Sequence, residues 1–227
     1  MRFLAYLLVL LTIALPLQAQ EEEESGGIIA NLLTGALSGE NRYVRVYGLE
    51  GALSSRATID RLTFSDDDGI WLTIEGAELD WSRSALLRGN LLVETLRAEE
   101  IEVARLPGET TQGEELPSPE ATPFRVPELP VSVNINNLAV DRLILGEPVA
   151  GRAAELKVQG NLTLDGGALD TSIVVNRLAR PGDKIDLAAK IGNDPTEIDL
   201  DLSVSEGEEG LVSELLSLPG RPAVRLD

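Results

Sequence analysis

The chain contains no cysteine and no histidine among its 227 residues. A zinc site of the usual Cys/His type is therefore impossible. The same absence excludes the Ser-His-Asp and Cys-His systems of nucleophilic catalysis. Aromatic residues make up only 4% of the chain, so the apolar fraction of 43% comes mainly from Leu, Ile, Val and Ala. We expect an aliphatic interior and neither a catalytic nor a metal site.

Positive charge is also scarce, because 19 basic residues stand against 38 acidic ones and give a net charge of -19. Such a chain repels phosphate backbones, which disfavours nucleic-acid binding. Neighbouring carboxylates such as Glu99-Glu100 are plentiful, but a glycosidase needs two of them opposed across a cleft. No glycine-rich phosphate loop is present. The composition therefore predicts a non-enzymatic protein without a cofactor.

The N-terminus is typical of an export signal. A basic start at Arg2 precedes an almost continuous apolar stretch from Phe3 to Leu15, and the small residue Ala19 follows. This order matches a secretory signal peptide, and the stretch is shorter than the roughly 20 residues that span a bilayer comfortably. We predict a signal peptide at residues 1–20, with an uncleaved membrane anchor as the alternative. Under either interpretation we expect the rest of the chain to be exported.

An amphipathic helix is predicted for residues 25–39, with Ser25 as the N-cap and Gly39 as the stop. Its apolar residues fall on one stripe at helical spacing. The members of that stripe are Ile28, Ile29, Leu32, Leu33, Ala36 and Leu37. Such a helix either plugs one end of a sheet or lies on a membrane surface.

One-sided strands dominate the second half of the chain. Every second residue from 154 to 164 is apolar or glycine, and the same alternation returns in 185–191 and 198–204. A period of two places one apolar and one polar face on a sheet. The side chains that we place on the apolar face, as a hypothetical lipid groove, are Leu156, Val158, Leu162, Leu164, Ile185, Leu187, Ile198, Leu200, Leu202 and Val204. A second sheet, a helix, a membrane or a lipid must cover this face.

A proline-rich segment divides the exported chain. Residues 107–130 hold six of the 12 prolines and read as a linker, because proline cannot pair continuously in a sheet. This predicts a first β segment at 40–106 and a second at 131–227. Short echoes between the two segments, such as Ile59-Asp-Arg-Leu62 and Val140-Asp-Arg-Leu143, favour repeated β modules. The last five residues predict the start of another strand, so we expect the pattern to continue beyond residue 227.

Shorter signals mark the turns. Ser65-Asp-Asp-Asp-Gly69 lacks the spaced oxygen ligands of a calcium loop and predicts a hairpin turn. Residues 165–168 (Asp-Gly-Gly-Ala) predict a second hairpin. One turn of helix is expected at 82–88, closed by Gly89, and a short helix at 211–218.

Two stretches carry a resemblance to a known family. Residues 48–64 begin with a glycine-leucine strand start, and residues 69–89 contain the hairpin "acidic residues–Gly–x–Trp", then "Leu-x-Trp-Ser" and "Leu-Leu-x-Gly". In this order they resemble the N-terminal region of the TamB family, translocation and assembly module subunits of the AsmA-like, bridge-like lipid transfer superfamily. Residues 116–120 and 129–135 add to the likeness, which runs from about residue 26 to the end.

The resemblance implies a mainly β fold: a curled β-taco groove of repeated amphipathic strands, with an N-terminal amphipathic helix and short connecting helices. It also implies a periplasmic protein at the inner membrane, engaged in phospholipid transport between the two membranes and in outer-membrane protein assembly. The implied partners are phospholipid acyl chains, the inner membrane and a TamA-like barrel, the last through a C-terminal part that this sequence lacks. The signal looks cleavable and the chain is far shorter than family members, and both features depart from the family pattern.

Two other functions stay open at this point. Exposed edge strands could capture an unfolded outer-membrane strand, which makes the protein an interaction scaffold. A closed β-sandwich would pack its apolar faces on each other and leave no groove.

Overall fold

A computed structural model of the chain describes residues 34, 38, 41–52, 54–108, 131–192 and 197–226. The predicted signal at 1–20, most of the predicted helix at 25–39 and the linker beyond residue 108 lie outside the described residues.

Ten strands form one open sheet in which each strand lies beside its neighbours in the sequence. The strands are β1 (Tyr43–Glu50), β2 (Arg56–Asp66), β3 (Gly69–Ser82), β4 (Asn90–Val103), β5 (Ser132–Leu145), β6 (Ala154–Asp165), β7 (Ala168–Arg177), β8 (Lys184–Ile191), β9 (Ile198–Glu206) and β10 (Val224–Leu226). The mainly β prediction is confirmed. The described strands do not divide into the two packed sheets of a sandwich.

All neighbouring strands are antiparallel except β4 and β5, which are parallel. Asn90 at the start of β4 lies opposite Ser132 at the start of β5. Because parallel neighbours need a longer connection than a hairpin, a long stretch of sequence separates these two strands. The two β segments on either side of the predicted linker are joined into one continuous sheet.

The hairpins predicted from sequence are present. β2 ends at Asp66 and β3 begins at Gly69, whose φ of +109° lies in the region that favours glycine. The β6–β7 turn uses Gly166 and Gly167, both with positive φ. The predicted final strand corresponds to β10.

Within residues 41–226, the described part of the chain has three short helices that connect strands. α1 (Arg83–Leu86) confirms the predicted turn of helix, and the Ser82 side chain accepts a hydrogen bond from the Ala85 N–H at 3.3 Å, as an N-cap does. α2 (Glu147–Ala150) was not predicted. α3 (Leu211–Leu215) is shorter than the predicted 211–218. Among the described residues, no helix has both the length and the apolar character needed to cross a bilayer.

The tightly packed interior is small. The side chains that are buried are mostly alanine and valine, such as Val44, Val93 and Ala98. One cluster of buried apolar residues lies where α2 and α3 meet β6, and we call it the capped end: Ala150, Ala154, Leu156 and Leu211. Most larger aliphatic side chains of the sheet are only half-buried, which is unusual for a closed core.

Candidate functional site: an apolar face and its cavity

Rows of apolar side chains cross the sheet from strand to strand. Residues directly opposite each other on neighbouring strands point to the same face. One such row joins Leu62, Ile74, Ile101, Leu143 and Leu156 across β2 to β6. Every member is aliphatic, so the five strands share one apolar face.

A second row extends the same face across nine strands. It joins Leu49, Ile59, Ala77, Ala98, Val140, Val158, Val175, Ile185 and Val204. No polar side chain interrupts this row. The apolar face therefore runs from β1 to β9 without a break at the parallel pair.

The structure places all ten residues of the predicted groove on this face. Val158, Ile185 and Val204 belong to the second row, and Leu156 belongs to the first. The other six stand in three further rows of β6–β9. The rows are Gly160–Ile173–Leu187–Leu202, Leu162–Thr171–Ala189–Leu200 and Leu164–Leu169–Ile191–Ile198.

The environment of these residues changes along the strands. Leu156 and Val204 are 6% and 4% exposed at the capped end. Ile198 and Leu200 are 56% and 61% exposed at the other end of β9. The part of the apolar face on β6 to β9 is thus covered at one end of the strands and open at the other.

A cavity of about 540 Å³ lies against the first half of the apolar face. Residues from β1 to β5 line it together, so this part of the sheet is concave on its apolar side. Its main side chains are Ile59, Leu62, Ile74, Trp81, Leu96 and Ile101. Two charged residues also border it, Glu78 and Arg97, which lie opposite each other on β3 and β4. None of the lining residues was among the ten groove residues predicted from the sequence.

The sequence-based prediction missed these residues because the alternation of apolar and polar residues shifts within their strands. Ile59 and Leu62 both line the cavity although three positions separate them, and the same holds for Ala98 and Ile101. The period of two therefore changes phase within each strand. The shifts coincide where the pairing between neighbouring strands skips one position on each strand. We call these positions the bend row: Gly48, Asp60, Gly76 and Glu99.

Glycine makes the bend possible. Gly48 and Gly76 have φ of +62° and +58°, a left-handed conformation that side chains disfavour. A Cβ on Gly76 would lie 2.6 Å from Cγ of Glu99. The two glycines thus allow β1 and β3 to shift their alternation at the bend row. The apolar side chains on both sides of the bend row then point to the same face.

The opposite face is polar and charged. Arg61 pairs with Glu75 at 2.9 Å, and Arg142 lies 3.4 Å from Glu100. These pairs are solvent-exposed, and each contributes only about 0–1 kcal/mol. They favour the observed register and keep the outer surface hydrated.

The acidic turn between β2 and β3 is structural. Asp66 accepts hydrogen bonds from the Arg105 guanidinium and from the Gly108 N–H. These bonds, with that of Arg105 largest, hold the pKa of the Asp66 carboxyl well below its usual range. Within the described part of the chain, no group of three or more acidic side chains is placed to hold a metal ion.

Comparison with known proteins gives no relative on which to base a function. No family model, no curated protein and no solved structure matches the chain.

Proposed function

We propose that this protein binds lipid acyl chains on its apolar face, as the N-terminal part of a hydrophobic β-groove that carries phospholipid between two membranes. The observation that supports the proposal most directly is the open cavity of about 540 Å³, whose walls are almost entirely aliphatic. This volume lies within the roughly 300–1,000 Å³ of typical ligand pockets. A face of this kind needs an apolar occupant, because half-buried leucine and isoleucine side chains otherwise contact water.

The energetics suit transport better than tight storage. Each methylene that leaves water contributes about 0.8 kcal/mol. Most of the wall is aliphatic and gives an acyl chain no preferred depth, so the chain can slide along the rows. The second row is apolar across nine strands, and its members on β1 to β5 line the cavity.

The cellular setting is part of the proposal and rests on the sequence. The export signal and the resemblance to the TamB family support a periplasmic protein at the inner membrane, within a translocation and assembly module. In that setting the groove would serve phospholipid transport to the outer membrane and outer-membrane protein assembly, with a TamA-like barrel as partner. The mode of action is binding and not catalysis.

Photo-crosslinking in cells tests the lipid groove. A photoreactive amino acid at Ile101 faces the cavity, and the same probe at the neighbouring Glu102 lies on the opposite face and serves as the control. We expect phospholipid adducts at position 101 and none at position 102. The absence of lipid at position 101 in a folded, exported protein would rule the groove out.

An interaction scaffold is the second candidate, and the edge of β9 favours it. β10 pairs only with residues 204–206 of β9. The Gly192 N–H donates to the Glu197 carbonyl at 2.8 Å, so residues 199, 201 and 203 bond to β8 by the alternation of an antiparallel ladder. Leu200 and Leu202 then direct their backbone groups to the outer edge, where the described residues supply no strand.

A proline substitution separates the two candidates. Leu200→Pro removes a donor from the outer edge and leaves the bonds between β8 and β9 in place. The scaffold predicts loss of crosslinks to outer-membrane protein precursors with unchanged lipid adducts at position 101. Precursor capture that survives this substitution contradicts pairing at this edge.

A further inference from the structure

One stretch of the apolar face is covered by α3. Leu211, at the start of this helix, packs with Leu156 of β6 and Ala150 of α2. It also lines a small gap of about 20 Å³ together with Val175 and Ile185. These strand residues belong to the rows that continue from the open cavity, so Leu211 lies where an acyl chain following the rows would pass.

The segment that carries α3 is held in a strained conformation. Four non-glycine residues of the described chain have positive φ, and three of them flank α3: Glu209 (+55°), Ser217 (+51°) and Arg221 (+46°). Left-handed residues without glycine cost on the order of 1 kcal/mol each and concentrate in clamps and switches. They flank α3 on both sides, and the Glu209 N–H donates to the Arg221 carbonyl at 2.9 Å, so the segment is closed at its base.

A buried cation beside Leu211 further destabilises the arrangement in which α3 covers the apolar face. Arg177 lies on the apolar face opposite Leu156, and its side chain is 10% exposed. Its Nη1 lies 3.4 Å from Asp183, whereas its buried Nε has no hydrogen-bond partner among the described residues. An unsatisfied buried donor is destabilising, so the contacts beneath α3 are not those of a fully satisfied core.

Specific polar contacts oppose these costs. The Glu206 carboxylate accepts hydrogen bonds from the Val212 N–H at 2.9 Å and from the Ser213 N–H at 2.7 Å. Arg180 donates to the Glu208 carbonyl at 2.6 Å. α3 is therefore fastened at its N-terminus by the Glu206 carboxylate and further along by the ion pair of Glu214 with Arg221 at 2.8 Å. Leu211 is the large apolar side chain that it contributes to the capped end.

We propose that α3 is a displaceable cap over a second acyl-binding section of the apolar face, formed by Leu156, Val175 and Ile185. In the covered state Leu211 takes the place of lipid methylenes. When the segment from Glu209 to Arg221 moves away with α3, an acyl chain replaces Leu211 and the second section joins the open cavity. This inference rests on the proposed lipid groove and adds a gated section to it.

A photoreactive lipid tests the cap without altering the section that it covers. The full chain is incubated with vesicles of phosphatidylglycerol and phosphatidylethanolamine that contain a diazirine-labelled acyl chain, and adducts are mapped by peptide mass spectrometry. Leu211→Ala removes the side chain that fills the section. Leu216→Ala, an exposed leucine just after α3, is the matched control.

We expect Leu211→Ala to raise labelling of β7 and β8 at Val175 and Ile185 about fivefold or more, because the loss of the buried leucine destabilises the packing of α3 on the sheet. Labelling of β4 at Ile101 should stay constant, and Leu216→Ala should behave as the wild type. Glu206→Gln provides a second route, because it weakens the fastening without changing the apolar surface.

The outcomes separate this inference from the proposed function. Labelling at Ile101 in all variants, with none gained at Ile185, overturns the cap and leaves the groove intact. The absence of labelling at Ile101 overturns the groove itself. The β-sheet circular dichroism and melting temperature of each variant show whether a loss of labelling reflects unfolding.

Discussion

Asp66 and Arg105 form an ion pair that ties the β2–β3 hairpin to the end of β4. Arg105 Nη1 lies 2.8 Å from Asp66 Oδ2, and Nη2 donates to the Gly69 carbonyl at 2.8 Å. The same carboxylate accepts the Gly108 N–H at 2.9 Å. One acidic side chain thus orients the hairpin and the first residues of the predicted linker.

Removing this carboxylate should give a pH-dependent loss of stability. The Arg105 and Gly108 bonds depress the pKa of Asp66 in the folded protein. A depressed carboxyl pKa stabilises the fold above the unfolded value of about 4, and the contribution is lost as the pH falls toward the folded pKa. We expect Asp66→Asn to lower the melting temperature at pH 7, and the difference from the wild type to shrink below about pH 4.

Asp199→Asn controls for the change in net charge, since Asp199 is exposed on β9. Its melting curve should follow the wild type at both pH values. A deficit for Asp66→Asn that is equally large at pH 2.5 and pH 7 would contradict the ion pair as its cause.

Gly76 should resist substitution. The residue has a left-handed φ, which side chains disfavour, and a Cβ at this position would collide with the side chain of Glu99. We expect Gly76→Ala to lower the free energy of unfolding by about 1–3 kcal/mol, as measured by urea denaturation. Gly182→Ala, where a Cβ meets nothing within 4 Å, is the matched control and should be nearly neutral. Equal stability of the two variants would show that the bend does not depend on glycine.

A charge placed in the cavity should exclude lipid. Ile101→Glu introduces a carboxylate that an acyl chain would have to desolvate, at a cost of several kcal/mol. We expect the purified variant to retain at least tenfold less phospholipid than the wild type, measured by mass spectrometry of extracted lipid. Gln159→Glu makes the same charge change at an exposed position of β6 and should retain lipid normally. Equal retention by both variants would argue against binding in the cavity.

Arg177 and Asp183 should be coupled in stability. Both side chains are 10% exposed, and Asp183 also accepts the Gly207 N–H at 3.0 Å. Removing Arg177 leaves a buried carboxylate with one partner fewer, so Arg177→Met should cost about 1–3 kcal/mol. A double-mutant cycle with Asp183→Asn measures the coupling by urea denaturation. Additive losses would show that the 3.4 Å contact contributes nothing.

The sequence predicted best where alternation was regular and turns were marked by glycine. The β6–β7 hairpin followed from Gly166 and Gly167, and the shared face of β6, β8 and β9 followed from period-two patterning. In the first half the same method failed at the bend row. The echo between Ile59-Asp-Arg-Leu62 and Val140-Asp-Arg-Leu143 was a usable signal, because both stretches place two polar residues between apolar residues of one face.

By itself, the sequence determined that this protein is mainly β, acidic, one-sided in its strands and without the residues for zinc or nucleophile chemistry. These properties are local or compositional, since period two and turn residues act within a few positions. Only the tertiary structure decided which strands pair, that one apolar face spans both segments, and where that face is open or covered. Strand pairing, the phase shift at Gly76 and the packing of Leu211 on Leu156 each depend on residues far apart in the chain, whose proximity no local pattern specifies.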